Sequence, residues 1–171
     1  MGRVLASNEE EAFEILQDLE VDYVMVLFGG KAGFQSDDIN KFLWIIRITN
    51  NVFPHIKEQD FMNQGLAIDN RITDTFKNSV MYKLNYYRFW DVYTNHQKGF
   101  DLVRRAKIGH INYELEHFEE VYTSPRWLVR IYKVKKNSSR RTVAFTPKNI
   151  LDSPNDLKEN HKEDEEYFFD N

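Results

Sequence analysis

Cysteine is absent from the sequence, which excludes disulfides and thiolate zinc sites but says nothing of compartment, since a domain with a good core needs neither. No apolar run approaches the roughly 18 residues that a membrane-spanning helix needs, and the first residues lack the core of a signal peptide. The sequence therefore reads as that of a soluble polypeptide. No internal repeat is present. The five histidines, His55, His96, His110, His117 and His161, form no i, i+4 pair and no H-E-x-x-H, so nothing in the pattern points to a metal.

What the chain does have is apolar surface: 42% of its 171 residues are hydrophobic and 15% aromatic, enough for one domain with a real core. Eight acids and two lysines fall in residues 151–171, giving that stretch −6 and leaving +2 on the rest of a chain whose net charge is −4. Two regions follow: a globular domain over 1–136, and a polar, acidic, loosely ordered tail over 137–171.

A first helix is expected over 7–19, opened by the capping pattern Ser7-Asn8-Glu9-Glu10 and placing Ala12, Ile15, Leu16 and Leu19 on one face. The run Asp22 to Phe28 reads as a strand buried on both faces. Gly29, Gly30 and Gly33 close it, and a helix opens after Ser36. Residues 50–74 read as a long surface loop, Thr75 to Tyr93 as one central helix, and Glu114 to Tyr122 as a short helical stretch. Trp127 to Val134 is the second clear strand, with Trp127, Val129 and Ile131 on one face and Leu128, Arg130 and Tyr132 on the other. The expected fold is a mixed α/β one: a small, mainly parallel sheet flanked by helices, with long loops and a flexible acidic C-terminal tail. Two strands are few for a freestanding sheet, so the domain is expected to lean on segments outside this chain.

At about 100° per residue, Ile39, Phe42, Leu43 and Ile46 share one apolar arc of the helix that follows the glycines, while Asp38, Lys41 and Ile45 share another. A charged pair and a branched apolar residue are thus offered to something beyond the helix's own core. By spacing alone, Asp38 and Lys41 read as a solvated i, i+3 ion pair worth a few tenths of a kcal/mol. The glycine loop fits neither G-x-x-x-x-G-K-[ST] nor G-x-G-x-x-G, and Asp37 and Asp38 repel an anion, so it reads as a tight connection rather than a phosphate site. Arg126, Arg130, Lys133, Lys135, Lys136, Arg140 and Arg141 form a basic set that leaves open a non-catalytic protein- or RNA-binding module as the alternative function.

Taken in order, Ala6-Ser7-Asn8-Glu9-Glu10-Glu11-Ala12, Val21-Asp22-Tyr23-Val24, Phe28-Gly29-Gly30, Ser36-Asp37-Asp38-Ile39-Asn40-Lys41-Phe42-Leu43-Trp44, Met81-Tyr82-Lys83-Leu84, Tyr86-Tyr87-Arg88-Phe89 and Arg126 to Val134 resemble the C-terminal lumenal domain of STT3, the catalytic subunit of eukaryotic oligosaccharyltransferase. In that family a D-x-x-K-x-x-x-[IM] pattern, the DK motif, lies beside the pocket for the Ser or Thr of an Asn-x-Ser/Thr sequon. Asp38, Lys41 and Ile45 match it position by position. The resemblance implies that Ile45 touches the threonine methyl, an apolar contact of about 0.8 kcal/mol that favours Thr over Ser sequons severalfold. It also implies that Asp38 and Lys41 shape the pocket wall.

The parent enzyme implied is a glycosyltransferase of the endoplasmic reticulum membrane, acting on its lumenal face. It moves an oligosaccharide from dolichol pyrophosphate to an asparagine amide with a divalent metal, Mn or Mg. The partners implied are an acceptor polypeptide, the dolichol-linked donor bound by the membrane part, and other oligosaccharyltransferase subunits; no nucleic acid is expected. The family's W-W-D-Y-G motif is not in the sequence, nor are the membrane helices whose acidic loops hold the metal. Met1-Gly2 accordingly reads as an added start on a truncated protein, with no catalytic acids and no cofactor of its own, inactive alone. Asn137-Ser138-Ser139 is itself an acceptor sequon, which makes Asn137 a possible glycosylation site.

Overall fold

The computed structural model of the chain describes residues 1–110 and 112–136. The tail expected over 137–171, with Arg140, Arg141, His161 and the sequon at Asn137, lies outside the described residues. Helix α1 (Gly2–Ala6) and α2 (Glu9–Asp18) lead into strand β1 (Tyr23–Leu27). Helices α3 (Asp38–Asn50), α4 (Glu58–Phe61), α5 (Asp74–Asn78) and α6 (Val80–Tyr86) follow, then a 3₁₀ turn at Phe89–Asp91. The described part closes with β2 (Tyr93–Thr94), β3 (Gln97–Lys98), β4 (Phe100–Asp101), β5 (Ala106–Lys107), β6 (Phe118–Thr123) and β7 (Val129–Val134). No helix among the described residues is long and apolar enough to cross a membrane.

The mixture of helix and strand agrees with expectation, but the sheet is antiparallel, not mainly parallel. Its order is β1-β7-β6, with Tyr23 opposite Lys133 and Phe118 opposite Val134. For β6 and β7 the reason lies in the connection: residues 124–128 join them, far too short for the crossover that a parallel pair requires. Two small antiparallel pairs, β2-β3 and β4-β5, complete the strands. The segment expected as helix over 114–122 is instead largely β6, because β7 offers it a ladder and Arg130 offers Glu120 a partner across that ladder.

β1 is also not buried on both faces. Val24 and Val26 point into the core, whereas Tyr23 and Met25 are 57% and 61% exposed, as an edge strand with one packed face requires. The sequence hid the alternation because its outward positions are themselves apolar. Helix α2 runs Glu9–Asp18 within the expected 7–19, with the cap moved from Ser7 to Asn8: the Asn8 side chain accepts from Glu11 N at 3.0 Å. Leu19 is exposed and Phe13 takes its place in the core.

The helix expected from 75 to 93 is two helices meeting at Ser79, whose backbone is extended at φ −66, ψ 148. Its hydroxyl donates to Phe76 O at 2.7 Å and accepts from Tyr82 N at 3.2 Å, ending α5 and capping α6 in one step. Central it is, all the same. Met81, Tyr82 and Tyr86 of α6 join Phe28, Ile39 and Phe42 in one apolar cluster, while Val80, Leu84 and Tyr87 join Leu16, Val26 and Tyr132 in a second. The 50–74 segment is mostly irregular but contributes α4 and buries Ile56, Phe61 and Ile68 against the first cluster.

Candidate functional site

The site begins where β1 hands the chain to α3. Asp37, not Ser36, caps α3: its Oδ1 accepts from Asn40 N at 3.0 Å while its Oδ2 accepts from Gly29 N at 2.8 Å. Asp38 follows suit, with Oδ2 accepting from Leu27 N at 2.8 Å. Two adjacent carboxylates thus stitch the helix start to the last amides of the strand. A Cβ on Gly29 would strike Phe34 O, and one on Gly30 would lie 2.6 Å from Asp101 Oδ2, which is why glycines stand there. The amide that a phosphate would seek is already filled by a carboxylate, so the loop is a tight connection built around Asp37.

Asp38 is half-buried. Burial pushes its carboxyl above the ordinary aspartate value, against the opposing pull of the Leu27 N–H and the Lys41 charge. Lys41 is exposed and makes no hydrogen bond or ion pair among the described residues. The i, i+3 ion pair expected from spacing is therefore replaced by a carboxylate spent on the backbone and an ammonium left free. Ile45 departs from expectation too: it is half-buried, packed against the first core cluster, and its Cγ2 lies 3.3 Å from where a side chain on Gly2 of α1 would begin.

The helical wheel explains the gradation. Taking Asp38 as zero at about 100° per residue, Phe42, Ile46 and Ile39 lie near 40°, 80° and 100°, and Asp38 and Ile45 border that arc at about 0° and −20°. Lys41 stands further out at about −60°. The same arithmetic puts Ile48 and Trp44 beyond it, and both are exposed, Trp44 by 63%. Trp44 and Ile48 were missed as neighbours of Lys41, although the period that grouped Lys41 with Ile45 includes them. Leu43, expected in the core, is only partly buried because it lies on the far margin.

Sequence reasoning also missed Arg104, Asp101 and Tyr86. Arg104 Nη1 donates to Asp37 Oδ2 at 2.6 Å and Nη2 donates to Asp37 Oδ1, from 67 residues away in the chain. Asp101, fully buried, accepts from the Arg104 guanidinium at 3.2 Å and from the Tyr86 hydroxyl at 2.7 Å. Burial, with the Asp101 charge beside it, keeps the Tyr86 hydroxyl protonated far above the usual range. Only a D-x-x-R spacing at 101–104 hinted at this, and spacing cannot name a partner so distant.

Four of the described members of the basic set are engaged within the fold, while Arg126 is exposed. Arg130 is wholly buried, donating to Leu84 O at 3.0 Å, Asn85 O at 2.8 Å and Glu120 at 2.8 Å, so β7 turns Arg130, Tyr132 and Val134 inward. Lys135 is spent on the carbonyls of Leu115 and Glu116, Lys136 pairs with Asp22 at 2.9 Å, and Lys133 stands opposite Glu119. Of the histidines, His117 has its Nε2 2.6 Å from the Glu10 carboxylate and stacks on Phe13, and His110 stacks on Tyr113. Glu10, Glu116 and His117 bring ligand-type atoms within 4.8 Å of one another. At the start of α3 both carboxylates are already bonded, Asp37 to two amides and Arg104 and Asp38 to the Leu27 amide, and a lysine stands beside them, which does not fit a divalent metal.

No protein-family model matches the chain. Curated relatives do. The chain is 50% identical over 143 residues to the dolichyl-diphosphooligosaccharide–protein glycosyltransferase subunit STT3 of Dictyostelium discoideum, covering 82% of this chain and 20% of that protein. It is 50% identical over 141 residues to subunit STT3A of Oryza sativa subsp. japonica and 46% identical over 143 residues to subunit STT3B of Arabidopsis thaliana. The region is STT3-like. The chain spans about a fifth of the length of the curated relatives it matches. Identity at this level over four-fifths of the chain carries the likeness well past the DK pattern.

Proposed function

We propose that the chain is a lumenal domain of an oligosaccharyltransferase catalytic subunit and that the start of α3 helps to recognise the Asn-x-Ser/Thr acceptor in N-linked glycosylation. The relatives' names supply the parent reaction, transfer from a dolichyl-diphosphate oligosaccharide to protein. The observation that carries the site is the pairing at α3: a free, exposed Lys41 ammonium one turn from an Asp38 carboxylate that the backbone of Leu27 holds still. A fixed carboxylate with a mobile cation beside it can orient a peptide's polar groups without collapsing onto itself.

Ile45 would present only the part of its side chain that α1 leaves open, with Trp44 and Ile48 extending the apolar surface beyond it. Mn or Mg in the parent enzyme is assigned to residues outside this chain, because the α3 carboxylates are already committed. The lipid-linked donor and any companion subunits are assigned there too, and the endoplasmic reticulum membrane is the expected setting. The chain alone is expected to transfer no glycan.

In the full-length enzyme, Lys41→Ala and Asp38→Ala should raise KM for a sequon peptide and lower its glycosylation, while Lys41→Ala leaves the thermal unfolding of the 171-residue chain nearly unchanged. Parallel loss of stability and activity in Lys41→Ala would return the residue to a structural role and remove the basis of the reading.

A further inference from the structure

We propose that Arg104 is a positioning residue for acceptor recognition: from the turn after β4 it seats the first turn of α3 and thereby aims Asp38 and Lys41. The inference rests on the reading of those two residues given above. Its guanidinium grips both sides of Asp38 at once, through the two oxygens of Asp37 and through Asn40 Oδ1 at 3.0 Å. A planar fork on a carboxylate fixes direction as well as distance, which an ammonium does not.

The fork is itself held from behind. Asp101 Oδ1 accepts from the backbone of Val103 at 2.8 Å and of Arg104 at 2.9 Å, and Asp101 Oδ2 takes the Tyr86 hydroxyl, so the arginine stands on a turn tied to the core by α6. On the far side, Leu102 N donates to Gly30 O at 2.7 Å, bringing the same turn onto the β1–α3 connection. The chain of restraint therefore runs from Tyr86 through Asp101, Arg104 and Asp37 to Gly29, with Asp38 and Leu27 as the parallel link. Two wholly buried carboxylates around one arginine are a poor way to gain stability, since apolar side chains of similar volume commonly serve as well or better. What such a cluster supplies is a defined geometry, and the element it defines is the one that carries Lys41.

The test uses Arg104→Lys, which keeps the charge and loses the fork. In the full-length enzyme its KM for a Thr-sequon peptide should rise roughly tenfold, less than the roughly hundredfold that a misplacement of about 1 Å can cost, with kcat and the KM for the lipid-linked donor little changed. In the 171-residue chain the amides of Leu27 and Gly29 should exchange faster with solvent while those of β7 keep their protection. Unchanged exchange at Leu27 and Gly29 overturns the proposal. So does an unchanged peptide KM in Arg104→Lys when Lys41→Ala raises it, and that result leaves the acceptor reading standing; if neither variant moves the peptide KM, the acceptor reading itself has failed. Should Arg104→Lys not fold, Asn40→Ala decides: it removes the fork's outer contact at the surface and is expected to raise peptide KM by a smaller factor, and no rise overturns the proposal.

Discussion

At the scale of single residues, the chain shows how differently two like-charged groups are used. Arg130 sits in the core and is fully consumed: two carbonyls at the C-terminal end of α6, the Glu120 carboxylate and the rings of Trp127 and Tyr132 surround it. Cations at a helix C-terminus are favourable, and this one doubles as the cross-strand partner of β6. Lys41 makes no hydrogen bond or ion pair among the described residues, and its charge acts on Asp38 only through space. Asp38 stands between these extremes, half-buried with one oxygen bonded, and its raised pKa makes a testable statement about stability. Because the folded state prefers the protonated form, the contribution of Asp38 to stability is fully present below the ordinary value of 3.8 and is lost as pH rises through the higher folded value. Asp38→Asn removes that titration while leaving an oxygen for Leu27 N. Thermal unfolding of the variant should therefore match or exceed that of the parent at pH 7, and the two curves should converge as pH falls through the carboxylate range. A variant less stable at pH 7 than at acid pH, relative to the parent, would show that the ionised carboxylate is favoured in the fold after all.

At the scale of elements, what could be read in advance was whatever local periodicity decides. The helix of α2, the strand of β1, the helix of α3 and the strand of β7 all follow from spacing and capping within a dozen neighbours. What could not be read depended on partners far along the chain: the antiparallel return of β7 onto β1, the strand nature of the glutamate-rich β6, and the Arg104 fork on Asp37. The break at Ser79 belongs to an intermediate class. Nothing in the apolar pattern marks it, yet a serine flanked by Asn78 and Val80 is an ordinary cap, and the tertiary structure uses it so that α6 can serve two clusters at once. Ser79→Ala removes both the bond to Phe76 O and the cap on Tyr82 N from a wholly buried position, at a cost of about 1 kcal/mol or somewhat more. Urea denaturation should show a lowered midpoint with an unchanged slope; an unchanged midpoint would mean that α5 and α6 had fused into the single helix their periodicity suggests.

At the scale of the molecule, the ends of the described chain are joined. β7 is its last element and the central strand of its main sheet, pairing β1 from more than a hundred positions away, with Tyr23 opposite Lys133 and Val26 opposite Arg130. The helical part is tied to the same strand, because Arg130 and the Tyr132 hydroxyl both bond to Leu84 O at the end of α6. α1 joins the arrangement at the other end, where Ser7 O accepts from Val80 N. A chain shortened to residues 1–117 would keep every helix and still lose the middle and far edge of the sheet. Phe118, Tyr132 and Val134 would vanish from the second cluster, each worth about 1.5–3 kcal/mol when fully buried. The carbonyls of Leu84 and Asn85 would be left without partners, and β1 would have no ladder. Those losses together rival the whole stability of a typical domain, about 5–15 kcal/mol. The shortened chain should therefore show no sigmoidal unfolding by circular dichroism under conditions where the 171-residue chain unfolds cooperatively. Cooperative unfolding at a similar midpoint would mean that the helices and their aromatic cluster stand alone, and that the sheet is an attachment rather than the closure of the fold.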